Sequence, residues 1–190
     1  MRRIGAFAIS VVVWFLFWLA IWYMSFRLFM APVYLLVKST VALLFPAWAG
    51  PVHWMGHDFV LSTTLRFGSI DGTATTLAIR ADFLSYGIGW PLIVALFLAC
   101  DAERTVFKIV WSTVVLWVPQ TIGILVEFLH AVYVQSGLLA IDGSTRYLLI
   151  LLFQFLIMVA PPLVPVVVWL WTEDGFVRSL VAPLAARRTR

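Results

Sequence analysis

The run from Ile109 to Tyr133 is long enough to cross a bilayer at about 1.5 Å of rise per residue, yet it carries Pro119, Gln120, Glu127 and His130 among aliphatic and aromatic neighbours. Polar groups at that depth cost too much to face lipid. They must look inward, at other helices of the same bundle or at a partner protein. Such a chain belongs in a membrane. Its 63% hydrophobic and 12% charged residues agree, against roughly 45–50% and about 25% in an ordinary soluble domain.

Ten Trp and fifteen Phe suit lipid-facing helices with aromatic anchors at the interface, and lipid is the first expected partner. The net charge of +4 is no nucleic-acid footprint, because the basic residues lie at membrane boundaries, where orientation explains them. One Cys excludes an internal disulfide framework, and no Cys/His cluster has the spacing of a structural zinc site. No cofactor is expected.

Arg2 and Arg3 followed by Ile4–Trp22 have the layout of a signal peptide, but the apolar run is too long and too aromatic, and no small-residue cleavage site follows. It reads as a retained anchor entering from the cytoplasm, with a first span over 4–24. The next apolar piece, Leu28–Phe45, holds Pro32 and Lys38 and either crosses the membrane or lies along its outer surface. Charge decides. With four spans the cytoplasmic side holds Arg2, Arg3, Arg104, Lys108, Arg178, Arg187, Arg188 and Arg190, most of the 13 Lys+Arg; with five spans the basic tail moves outside. The positive-inside rule favours four, over about 4–24, 84–100, 109–133 and 147–171, with both termini cytoplasmic and 28–45 an interfacial or re-entrant helix.

Pro46, Gly50, Pro51 and Gly56 break any helix, and strict alternation begins after them. Phe59, Leu61, Thr63, Leu65 and Phe67 share one strand face, and Leu77 and Ile79 oppose Thr76, Ala78 and Arg80. This predicts a small extracytoplasmic β-hairpin over 58–82 with a loop at Gly68–Gly72, which must pack on helices or on another protein to be stable. Asp101–Lys108 reads as a charged cytoplasmic turn, Val134–Arg146 as an outer loop with a turn at Asp142-Gly143, and Thr172–Arg190 as a basic tail. Pro161, Pro162 and Pro165 should bend or break the fourth span. The expected fold class is therefore an all-α polytopic membrane protein, a single domain of four transmembrane helices with an interfacial helix and a small hairpin.

Glu127 and His130 are three apart and share a helical face near the outer end of the third span. That pattern fits a proton relay, metal ligation or a partner's polar group; it equally fits a hydrogen-bonded pair that fixes helix packing. His53 and His57, on the same side, could join His130 at a metal, though His-x₃-His in a Gly/Pro-rich loop is a weak signal. Cys100 and His130 do not make a thiol protease. They lie at opposite ends of neighbouring spans, a separation on the order of 30 Å, and a nucleophile and its base need about 3 Å. Gln120 and Gln154 read as amides that bind helices together, or as lining of a path between the third and fourth spans.

The Trp/Phe-rich first span running to Ala31-Pro32, Ser85-Tyr86-Gly87 leading to Pro91-Leu92, and Phe153-Gln154 before Pro161-Pro162 and Pro165 resemble the bacterial exosortase H-associated membrane proteins, in order and size over most of the chain. The resemblance implies an inner-membrane accessory to a system that recognises C-terminal sorting signals, with the catalytic Cys, Arg and His in the partner exosortase. It carries over no functional residue. Two functions stand as expectations: a non-enzymatic assembly subunit that binds another membrane protein through its hairpin and the face of Gln120, Glu127, His130 and Gln154, or a small metal- or proton-handling enzyme or transporter built on Glu127 and His130.

Overall fold

The computed structural model describes residues 2–67, 75–100, 104–173 and 175. The elements run α1 (Arg2–Leu44), β1 (Ala49–Met55), β2 (Asp58–Phe67), β3 (Thr75–Asp82), α2 (Phe83–Gly87), α3 (Gly89–Ala99), α4 (Thr105–His130), a π-helical turn (Ala131–Gln135), α5 (Gly143–Gln154), a second π-helical turn (Phe155–Val159) and α6 (Ala160–Thr172). The hairpin loop, residues 101–103 of the turn expected over Asp101–Lys108 and most of the tail expected over Thr172–Arg190 lie outside the described residues, while residues 105–108 open α4.

Three helices are long and apolar enough to cross a membrane: Ile4–Leu44, Thr105–Gln135 and Gly143–Thr172. The expected second span is a shorter apolar helix, Phe83–Ala99. It lies at the short end of what crosses a bilayer, about 17–25 residues, so three long spans are shown and the fourth belongs to the expectation.

The helix expected at 28–45 follows the first span across a kink, the two helices meeting within α1. Only Ser25 leaves helical geometry, at φ −118° and ψ 16°. The cause is local: the Ser25 hydroxyl turns back to donate to the Ile21 carbonyl at 2.5 Å, a bond that bends helices. Pro32 removes one ladder bond without ending the helix.

The hairpin carries a third strand. β1 precedes the expected pair, and the sheet order is β1-β2-β3 with both pairings antiparallel. Gly50-Pro51 hid β1 from a pattern search, since proline cannot serve a central strand. Here it sits on an edge strand, where the register shifts between Ala49 and Val52. Met55 pairs with Asp58 across a two-residue loop whose first residue, Gly56, has φ +62°, a conformation glycine adopts without strain.

The prolines of the last long helix do not break it. A π turn sits immediately before Ala160, whose amide donates five residues back to Phe155, and this wide turn absorbs the distortion of Pro161 and Pro162. Asp142, expected in a turn, is instead the N-cap of α5: the Thr145 amide and hydroxyl donate to its carboxylate at 2.9 and 2.6 Å. Those bonds hold it below the ordinary carboxylate range.

The chain forms two compact units. The first comprises residues 1–26, 88–116 and 162–190. Its described side chains pack as aromatic pairs, Phe7 stacked on Trp169 and Trp18 edge-on to Trp90. A buried indole N–H gains from a partner: that of Trp90 donates to the Thr113 hydroxyl at 2.9 Å, while that of Trp18 is buried with no hydrogen bond among the described residues. Lys108 and Glu173 form an ion pair here, with 24% and 11% of their side chains exposed. Cys100 closes α3, its thiol donating to the Phe97 carbonyl at 3.3 Å.

The second unit comprises residues 27–87 and 117–161. Met30, Val33, Val37 and Val41 recur at helical spacing and are all buried, as are Val52, Phe59, Leu61, Ile79 and Ala81 of the sheet. The Tyr34 hydroxyl donates to the Val52 carbonyl at 3.0 Å, and its ring lies 5.4 Å from Phe59, which lies 4.8 Å from Phe83. These contacts dock the sheet on the later half of α1. Burying each such Phe contributes about 1.5–3 kcal/mol, which a free hairpin would lack.

Candidate functional site

All of the candidate site lies in the second unit. Gln120, Gly123, Glu127 and His130 follow one another at intervals of three or four along α4, with Ala131 of the π turn four beyond Glu127, and therefore form one stripe. Tyr86 of α2 rests on that stripe where Gly123 has no side chain. A Cβ there would come within 2.5 Å of the ring. One turn before, Gln120 is buried and its amide donates to the Tyr86 carbonyl at 3.2 Å. One turn beyond, Glu127 interacts with the Tyr86 hydroxyl. The contact is incomplete, because neither the hydroxyl nor Glu127 Oε2 has a hydrogen bond of proper length and angle, although both atoms are buried.

His130 is 9% exposed, its ring stacked on Phe153 of α5 at 4.3 Å with 6° between planes. Its Nδ1 is buried without a partner. It forms no pair with Glu127 that would discharge both as packing elements. Gln154, next to Phe153, is exposed and does not line the cavity described below. The structure thus gathers Gln120, Glu127 and His130 and leaves Gln154 apart. His53 and His57 are exposed, and among the described residues no group of three or more His, Cys, Asp or Glu is placed to hold an ion. Cys100 belongs to the first unit and His130 to the second.

A cavity of about 380 Å³ opens beside Glu127. One wall is made by Leu77, Ala78, Ile79 and Arg80 of β3; the other by Glu127, Ala131, Gln135 and Ser136, with Phe153 closing the side. Gln135 and Ser136 reach this wall because the π turn holds one residue more than a regular turn, which delays the helix's rotation and returns them towards Glu127's side. The Ser136 amide donates five residues back to Ala131 at 2.9 Å. Arg80 is exposed and makes no ion pair among the described residues. The Glu127 carboxylate and a guanidinium with no ion pair among the described residues therefore border one opening. Such groups can bind a charged or amide-bearing partner, and desolvation strengthens what they bind.

Sequence reading found the carboxylate and imidazole but missed Tyr86, Gly123, Arg80, Gln135 and Ser136 as parts of the same place. Gly123 was the available signal: a glycine four residues before Glu127 in a span marks a close approach on that face. Arg80 and Gln135 come together only through tertiary folding.

A family model described as exosortase H-associated membrane protein matches residues 1–176, nearly the whole chain. No curated protein and no solved structure matches it.

Proposed function

Since the chain belongs to the exosortase H-associated membrane protein family, we propose that it is a non-enzymatic accessory or assembly subunit in the bacterial inner membrane, serving an exosortase-type protein-sorting system. The family's name supports an association with exosortase H, itself a membrane protein. One observation carries the reading: Glu127 of α4, a carboxylate in an apolar span, lines an opening whose other wall is the terminal strand β3, and a second chain can complete both surfaces. Lipid covers the exposed apolar side chains of the long helices, such as Ile9, Leu16, Val110 and Leu151.

Purification from native membranes tests this. An exosortase-type protein is expected to come with the wild-type chain, and Glu127→Ala to reduce its recovery by about tenfold, the effect of losing one charge-assisted contact, while the yield of the chain itself holds. Equal recovery with both would remove the reading.

The basic residues near the ends of the spans place both termini in the cytoplasm in this proposal, with the sheet outside. Alkaline phosphatase inserted at Gly56, in the exposed β1–β2 loop, is expected to be active, and green fluorescent protein fused to either terminus to fluoresce. An active phosphatase fusion at the C-terminus would reverse the orientation.

A further inference from the structure

The cavity beside Glu127 touches four consecutive residues of β3. Side chains of a strand alternate between faces, so an opening that borders Leu77, Ala78, Ile79 and Arg80 in succession cannot lie over one face. It runs along the strand's edge. β3 is a terminal strand of the sheet, with β2 on one side and no strand on the other among the described residues. Its outward amides and carbonyls form the floor of a slot about 13 Å long, taking four residues at about 3.3 Å each.

The opposite wall is spaced to match. Glu127, Ala131 and Gln135 stand four residues apart and present a carboxylate, a methyl group and an amide in a line. Ala131 keeps the middle of the slot open. The Glu127 carboxylate lines the slot and has no hydrogen bond of proper geometry to its Oε2, so a cation entering the slot would gain a charge-assisted contact with it. Arg80, at the other wall, has no ion pair among the described residues and can meet an acidic group.

The geometry points to a β-augmentation site: the slot takes an extended segment of a partner polypeptide, which adds a strand to β3 and places a lysine or arginine side chain against Glu127. The inference deepens the accessory-subunit reading and rests on it, since it names the chemistry of the partner at that same surface. Main-chain bonding to the strand edge supplies affinity, and the carboxylate selects the side chain.

The test uses the full chain in phosphatidylcholine nanodiscs, which carry no net charge to attract basic peptides, with empty nanodiscs as the control. Two pools of heptapeptides are applied, identical in their randomised flanks, one with lysine fixed at the centre and the other with acetyl-lysine. The lysine pool is expected to be retained about tenfold better and to slow hydrogen exchange at amides between Thr76 and Arg80. Glu127→Gln should abolish the difference between pools. Equal retention of the two pools, no retention, or retention without protection of β3 would each overturn the proposal. The outcome is separable from the parent reading. Glu127-dependent recovery of an exosortase-type protein with no preference for lysine peptides leaves the accessory role standing and the slot's occupant wrong; lysine-selective binding with no such protein recovered does the reverse.

Discussion

Leucine in place of Gly123 is expected to destabilise the folded protein by about 3 kcal/mol, near the upper end of what overpacking costs. The Tyr86 ring already fills the space a side chain would need, 2.5 Å from the position of a Cβ, and that ring is buried beneath its own helix with no free end to swing away. Alanine separates this collision from backbone effects. In an open helix Gly→Ala stabilises by about 1 kcal/mol, so a net loss of about 1 kcal/mol at Gly123 would mean that the clash outweighs the gain. The check is the thermal midpoint of detergent-solubilised protein followed by size exclusion. Tyr86→Ala combined with Gly123→Ala should recover part of the loss, because the two residues share one space and their effects cannot add. A Gly123→Leu variant with unchanged yield and midpoint would mean that Tyr86 does not occupy that position.

The second large effect concerns the ion pair. Glu173→Ala removes the only described anionic partner of Lys108 and leaves an ammonium at the start of a membrane-spanning helix, largely enclosed. Breaking a fully buried pair costs about 3–5 kcal/mol. The residual exposure of Lys108 lets its long chain reach towards water, and about 2 kcal/mol is expected instead. Lys108→Ala with Glu173→Ala should be less damaging than Glu173→Ala alone, since most of the penalty belongs to the stranded charge. A full double-mutant cycle on thermal midpoints measures it, and additive effects would show that the two groups do not act as a pair.

These two expectations also mark how far the chain could be read unaided. Burial of α4's polar residues followed from the expense of exposing them to hydrocarbon, and the alternation over Phe59–Phe67 gave β2 because one face of it must be dry. Both signals are local. The strand β1 was masked by Gly50-Pro51, which in a chain read alone denotes a loop and in the sheet marks an irregular edge. The kink at Ser25 falls in the gap between the expected 4–24 and 28–45, but its cause, a hydroxyl bond to Ile21, is one no pattern displays, and Pro32, which also signals a break, lies inside the second helix. Within the site, Glu127 and His130 were visible as costly residues. Their partners were not, because Tyr86 and Arg80 arrive from other elements and a sequence gives no distance between elements.

The wide turn at Ala131–Gln135 has a consequence for how the chain tolerates change in length. Deleting one residue there lets the ladder close again as ordinary α-helix and leaves everything beyond in nearly its present phase with Glu127, whereas adding one would carry it round by about 100°. An alanine scan across the same five positions would alter side chains and leave the phase intact. Homologous chains should therefore lose one residue at this turn far more readily than they gain one.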